Sequence, residues 1–174
     1  MVNNAGVNTP HRFLNMTPEA FDEVFKVNLR GHFFLSQEVV KRMIARRKFG
    51  VIIFITSVHQ EVVQGRPHYS GSKAALAMLV KEMAGELAPY GIRVNGIAPG
   101  GIYIEKKIDN PSLANDESSV ILGGKNGIPR DVGRAAVILT SEYWLIHITG
   151  EILTVSGGQY LLPASKEACK KLFS

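Results

Sequence analysis

Val51-Ile52-Ile53-Phe54-Ile55 is an unbroken apolar run, β-branched at every position but one, set between Gly50 and Thr56-Ser57. It is too short for a helix, and its lack of polar alternation marks a strand covered on both faces. Two more strand signals follow. Ile92-Arg93-Val94-Asn95-Gly96-Ile97 is broken by Pro99-Gly100-Gly101, and Ile152-Leu153-Thr154-Val155 is closed by Gly157-Gly158. Between the strands the apolar spacing turns helical. Thr17-Pro18-Glu19 supplies an N-cap, a proline at the first helical position and an acidic first turn. Phe21, Val24, Phe25 and Asn28 continue at helical spacing, Phe34, Leu35, Val39, Met43 and Ile44 carry it onward, and Gly50 is predicted to stop it. A polar loop with Gly65 and Pro67 leads into a second helix with Leu76, Ala77, Val80, Ala84 and Leu87 on one face, ended by Gly91. A third helix is predicted from about Pro129 to Ser141. Strand alternating with helix predicts an α/β chain, a parallel sheet with helices on both faces.

Composition narrows the function classes. The 174 residues are 45% hydrophobic, enough for one sizeable core. A formal charge of +5 arises largely from Lys41-Arg42 and Arg46-Arg47-Lys48, at the end of a predicted helix, where basic residues complement the macrodipole. No aromatic-interleaved basic patch points to nucleic acid. No apolar stretch approaches a membrane span. The lone cysteine, Cys169, excludes an internal disulfide. A soluble, cytoplasmic protein is the expectation.

In parallel sheets of this kind, ligands sit outside the carboxyl ends of the strands. Ser57 follows the first strand, Pro99-Gly100 follows the second, and Asn4-Ala5-Gly6 would follow a strand of which Met1-Val2-Asn3 is present. Tyr69 and Lys73 open the helix after Ser57, one turn apart on the same face. A phenol has a pKa near 10, so it is a poor acid or base at pH 7 unless its surroundings shift it. An ammonium at i+4 favours the phenolate by charge attraction, and Ser57 can hold a substrate oxygen by a hydrogen bond. Tyr-x-x-x-Lys alone is a weak signal in a chain with five tyrosines; its context strengthens it. Asn28 is an amide on an apolar helix stripe. Either it is a structural residue bonded to nearby backbone, or it reaches Lys73 directly or through water. His59 and His68 lie near the predicted pocket and read as solvated loop residues.

These residues resemble the short-chain dehydrogenase/reductase family. The likeness covers nearly the whole chain and rests on Asn3-Asn4-Ala5-Gly6, Val27-Asn28-Leu29, Ile55-Thr56-Ser57 and Tyr69-Ser70-Gly71-Ser72-Lys73. It also includes the run from Glu86 to Asn95, Pro99-Gly100-Gly101-Ile102 and Ile148-Thr149-Gly150-Glu151. Within the family the chain looks like the branch of 3-oxoacyl carrier-protein reductases and glucose dehydrogenases. The resemblance implies a Rossmann-like fold and an NAD- or NADP-dependent interconversion of a carbonyl and an alcohol. Tyr69 would be the catalytic acid/base, and Lys73 would lower its pKa and hold the nicotinamide ribose. Ser57 would orient the carbonyl, and Asn28 would fix a water linking Lys73 to solvent. Asn4, Ala5 and Gly6 would border the adenosine side of the cofactor. Pro99, Gly100 and Ile102 would border the nicotinamide, with Ile102 offering backbone to its amide. A small carbonyl or alcohol is the implied substrate, and a homo- or hetero-oligomer the implied assembly.

The departures from the family pattern carry their own expectations. The family's glycine-rich N-terminal half has no counterpart in residues 1–174, which read as a truncated Rossmann-type domain, the C-terminal half only. At roughly 30 residues per strand-helix-strand unit, about 80 residues would be missing. Those residues cradle the pyrophosphate and select between NAD and NADP. Their loss would expose an apolar sheet edge and make the chain alone a poor dehydrogenase. Ile104 stands where the family usually has threonine, and Ser156-Gly157-Gly158 replaces Asp-Gly-Gly. The Ser57 to Tyr69 loop is about one residue short of the common length. Three alternatives stay open: a longer or split enzyme, a non-catalytic oligomerisation partner of a full-length relative, or a decayed relative without function. Substrate identity is assigned to a loop over residues 103–126, and a docking segment to Tyr160–Ser174.

Overall fold

The computed structural model describes residues 1–103 and 126–161. Its sheet has four strands, β1 (Val2–Asn3), β2 (Gly50–Ile55), β3 (Ile92–Pro99) and β4 (Ile152–Val155), in the order β1-β2-β3-β4. Every pairing is parallel, with Val2 opposite Ile53, Ile53 opposite Asn95 and Gly96 opposite Ile152. All strand carboxyl ends therefore fall on one side of the molecule.

Among the described residues, four α-helices cover the sheet: α1 (Pro18–Phe25), α2 (His32–Ala45), α3 (Pro67–Leu87) and α4 (Pro129–Thr140). Alternate residues of β2 face opposite ways. Ile52 and Phe54 pack with Ile92 and Val94 against Val40 of α2 and Leu76, Val80, Ala84 and Leu87 of α3. Ile53 and Ile97 pack on the other face against Ala135 and Leu139 of α4. Helices on both faces are what the unbroken β2 sequence demands, since each fully buried Ile or Phe contributes roughly 1.5–3 kcal/mol. Gly96 is imposed by packing: a Cβ there would stand 2.9 Å from Ile152 Cγ1.

The first helical segment departs from its predicted phase. Phe21, Phe34 and Leu35 are substantially exposed, and the inward column is Ala20, Val24, Asn28, His32, Ser36 and Val40. Spacing of four in a regular α-helix drifts by about 40° per step. A π-helical turn over Lys26–Gly31 winds more slowly and resets that drift, so one i+4 column stays buried from α1 through α2. Nor does Gly50 end the helix. Arg47, at φ 49°, turns the chain, Lys48 N donates to Met43 O, and Gly50 is already the first residue of β2. Thr17 caps α1 by accepting from Ala20 N at 3.2 Å.

Candidate active site

A cleft of about 830 Å³ opens at the carboxyl ends of β1, β2 and β3. Ser57, Tyr69 and Lys73 line it, as do Asn4, Gly6, Pro99, Gly100 and Ile102. Ala5 and Asn28 do not line it. Parallel pairing explains the convergence, because it brings Asn4, Ser57 and Gly100 to neighbouring strand ends while α3 starts beside Ser57. A Cβ on Gly100 would meet Ser156 Cβ at 2.6 Å, so only glycine fits where the chain leaves β3.

Lys73 is 3% exposed, and its Nζ donates to Ile55 O at 2.8 Å. Burial lowers its pKa from 10.5 to about 8. Its Nζ also lies 5.8 Å from the centroid of the Tyr69 ring. Tyr69 is half-buried, and burial raises its pKa, opposed by the Ser57 hydroxyl and the Arg66 charge. The direction is opposite to the one that i+4 spacing predicts. Desolvation of the phenol dominates, Lys73 contributes no resolved lowering, and its ammonium is turned toward Ile55 O. Ser57 is 6% exposed and accepts from His59 N at 3.2 Å, which leaves its O–H to donate.

Asn28 is fully buried, with its side chain consumed by local partners. Oδ1 accepts from Val7 N at 2.8 Å, and Nδ2 donates to Val7 O at 2.9 Å and Ser72 Oγ at 3.0 Å. No side-chain hydrogen bond from Asn28 reaches Lys73. The two groups meet only around Gly6, where a Cβ would stand 3.6 Å from both Asn28 Oδ1 and Lys73 Nζ. Asn28 thus clamps the segment after β1 onto α3.

Both loop histidines differ from expectation. His68 is 2% exposed, and its Nε2 lies 3.1 Å from both Thr9 Oγ1 and Asn8 Oδ1, holding the same segment in place. His59 is half-buried, lines the cleft and packs edge-on against Tyr69 at 5.2 Å between centroids. Burial lowers the pKa of each, so both favour the neutral imidazole. His32, on the same face as Asn28, was missed by the sequence reading. It is 4% exposed, its ring nitrogens make no well-formed hydrogen bond, and burial and the Lys73 charge lower its pKa. Its spacing of four from Asn28 was the available signal.

Two features fit a dinucleotide. Ile55 O is the one acceptor Lys73 Nζ has among the described residues, leaving two donors for vicinal hydroxyls. Gly6 presents bare backbone between Asn28 and Lys73. Among the described residues, no group of three His, Cys, Asp or Glu could hold a metal ion, and no helix is long and apolar enough to cross a membrane. Ile104, most of the predicted substrate loop and most of the C-terminal stretch lie outside the described residues.

Residues 1–159 match the family model described as enoyl-(acyl carrier protein) reductase. The chain belongs to the short-chain dehydrogenase/reductase family. The 3-oxoacyl-[acyl-carrier-protein] reductase of Rickettsia bellii is 36% identical over 170 residues, covering 93% of the chain and 67% of that protein. The 3beta-hydroxysteroid dehydrogenase 1 of Eggerthella lenta is 38% identical over 169 residues, covering 93% and 63%. Among solved structures, 4-hydroxyisoleucine dehydrogenase complexed with NADH superposes with a TM-score of 0.81 at 33% identity, covering 91% of the chain and 67% of its own. A 3-oxoacyl-[acyl-carrier protein] reductase with bound NAD from Brucella melitensis gives 0.78 at 31%, covering 91% and 61%. The chain spans about two thirds of the length of these short-chain dehydrogenase/reductase relatives, and its four-stranded parallel sheet is a partial Rossmann-like domain.

Proposed function

We propose that this chain carries the proton-transfer half of an NAD(P)-dependent oxidoreductase that interconverts a carbonyl and an alcohol, within a longer or assembled protein. The observation that carries the reading is the shared cleft of Ser57, Tyr69 and Lys73 at the strand ends. In the reducing direction, Ser57 donates a hydrogen bond to the carbonyl oxygen and Tyr69 O–H gives that oxygen a proton. Proton transfer of this kind supplies about 10²–10⁴-fold. Lys73, protonated below pH 8, stabilises the phenolate left behind. The bound nicotinamide supplies the hydride. Lys73 would hold its ribose, Tyr69 would lie against it, and Pro99, Gly100 and Ile102 would border its ring. Asn4, Ala5 and Gly6 would border the adenosine side. Asn28 acts by fixing Val7 and Ser72 around Lys73. Two of the family's solved relatives are described with NADH and NAD bound, and a third with NADP, which supports a nicotinamide cofactor.

A second reading, an oligomerisation partner of a full-length relative, is favoured by one observation. Phe25, Leu29, Phe33, Phe34, Met78 and Leu79 line an apolar groove of about 1050 Å³ between the α1–α2 run and α3. Calorimetric titration with NADH and NADPH tests the first reading. Saturable binding that is lost in Lys73→Met supports it. Heats of dilution alone, both from the chain and from the chain joined to a family N-terminal unit, overturn it.

A further inference from the structure

Arg66, Tyr69 and Lys73 are spaced i, i+3 and i+7 and line one cleft along one side of α3, with Arg66 at its N-cap. Lys73 is the inner member and Arg66 the exposed outer one. Lys73 and Arg66 are the only charged side chains among the described residues of the cleft lining, which includes no Asp or Glu. The described ion pairs are Lys41–Glu38 and Arg134–Asp131, so Arg66 has no carboxylate partner among the described residues. Beside it, His59 stands edge-on to Tyr69, and its buried Nδ1 has no hydrogen-bond partner.

We propose that the cleft takes an anionic carbonyl substrate, a short oxo-carboxylate, with the carbonyl at Ser57 and Tyr69 and the carboxylate at Arg66 and His59. The inference deepens the oxidoreductase reading and rests on it. A guanidinium is the side chain best shaped to hold a carboxylate through two parallel N–H donors. The positive end of α3 adds to the same field. Burial and the Arg66 charge lower the His59 pKa, opposed by the Gln64 side chain, which favours a neutral imidazole with one N–H over a second cation. The chemistry balances without further reagents. The carbonyl carbon accepts the hydride that the nicotinamide supplies, the π pair moves to oxygen, that oxygen takes the Tyr69 proton, and the carboxylate is unchanged.

Acetoacetate and its methyl ester share a carbon skeleton and differ in charge. Titrating each into the chain, with the His59 and Tyr69 ring signals followed by NMR, should show the acid binding at least 10-fold tighter. The preference should fall with added salt, vanish in Arg66→Gln and survive in part in Arg66→Lys. Equal affinities in the unaltered chain, no saturable binding of the acid, or a preference that persists in Arg66→Gln would each overturn the proposal. NAD(P)H oxidation, measured separately, distinguishes the two readings. Reduction of neutral ketones with no preference for acids leaves the oxidoreductase reading and removes this subsite. An Arg66-dependent preference without any oxidation, even by the chain joined to a family N-terminal unit, keeps the subsite and removes the oxidoreductase reading.

Discussion

Replacing Lys73 with Met should make the folded chain more stable at pH 7, although Lys73 sits at the centre of the candidate site. Burial lowers the lysine's pKa from 10.5 to about 8, and at 3% exposure little solvent screens it. That gap corresponds to about 3 kcal/mol lost whenever the ammonium is charged in both states, that is, below pH 8. Between pH 8 and 10.5 the unfolded chain binds more protons at this position, so stability at Lys73 rises with pH across that window. Met removes the charge and nearly matches the volume. It also strands Ile55 O, which costs about 1–3 kcal/mol. The net expectation is a gain of about 1 kcal/mol at pH 7 that shrinks and reverses by pH 10.5. Urea denaturation followed by far-UV circular dichroism, run on both proteins at pH 7, 9 and 10.5, reads the difference directly. A constant difference across these pH values would refute the reasoning, because it would show that Lys73 titrates normally in the folded chain.

Asn28→Ala should cost about 2–4 kcal/mol in the same denaturation assay, since it leaves Val7 N, Val7 O and Ser72 Oγ without their buried partner. His32 is buried with a pKa below 6.5, so the stability it contributes is complete above that pH and falls away as the solution is acidified. The melting temperature should therefore drop below pH 6.5 and drop less steeply in His32→Leu; identical slopes would show that His32 does not report on the acid limb.

Much of the architecture is legible in local pattern. β2, β3 and β4 are signalled by β-branched runs, and α4 by its proline start, because short buried strands and capped helices are specified by neighbouring residues. Parallel order also follows from the alternation of strand and helix, and it brings Ser57 and Tyr69 to one cleft. What failed depends on contacts distant in sequence. Phe34 and Leu35 look core-facing until the π-helical turn at Lys26–Gly31 rephases the helix. His68 looks like a loop residue until Asn8 and Thr9 close over it. Helical spacing states that Tyr69 and Lys73 share a face, but not that burial pushes the phenol up and the ammonium down. Arg66 has no motif around it; its place in the cleft comes from where α3 begins beside Ser57.

That Tyr69 moves the proton in a nicotinamide-dependent carbonyl reduction is tested most directly by NADH and NADPH oxidation with small ketones and aldehydes. The chain should be assayed alone and joined to the glycine-rich N-terminal unit of a family member, each with Tyr69 and as Tyr69→Phe. Weak or no turnover is expected from the chain alone, clear turnover from the joined protein, and a loss of about 10²–10⁴-fold in Tyr69→Phe. Turnover by the joined protein that is indifferent to Tyr69→Phe would contradict that role for Tyr69.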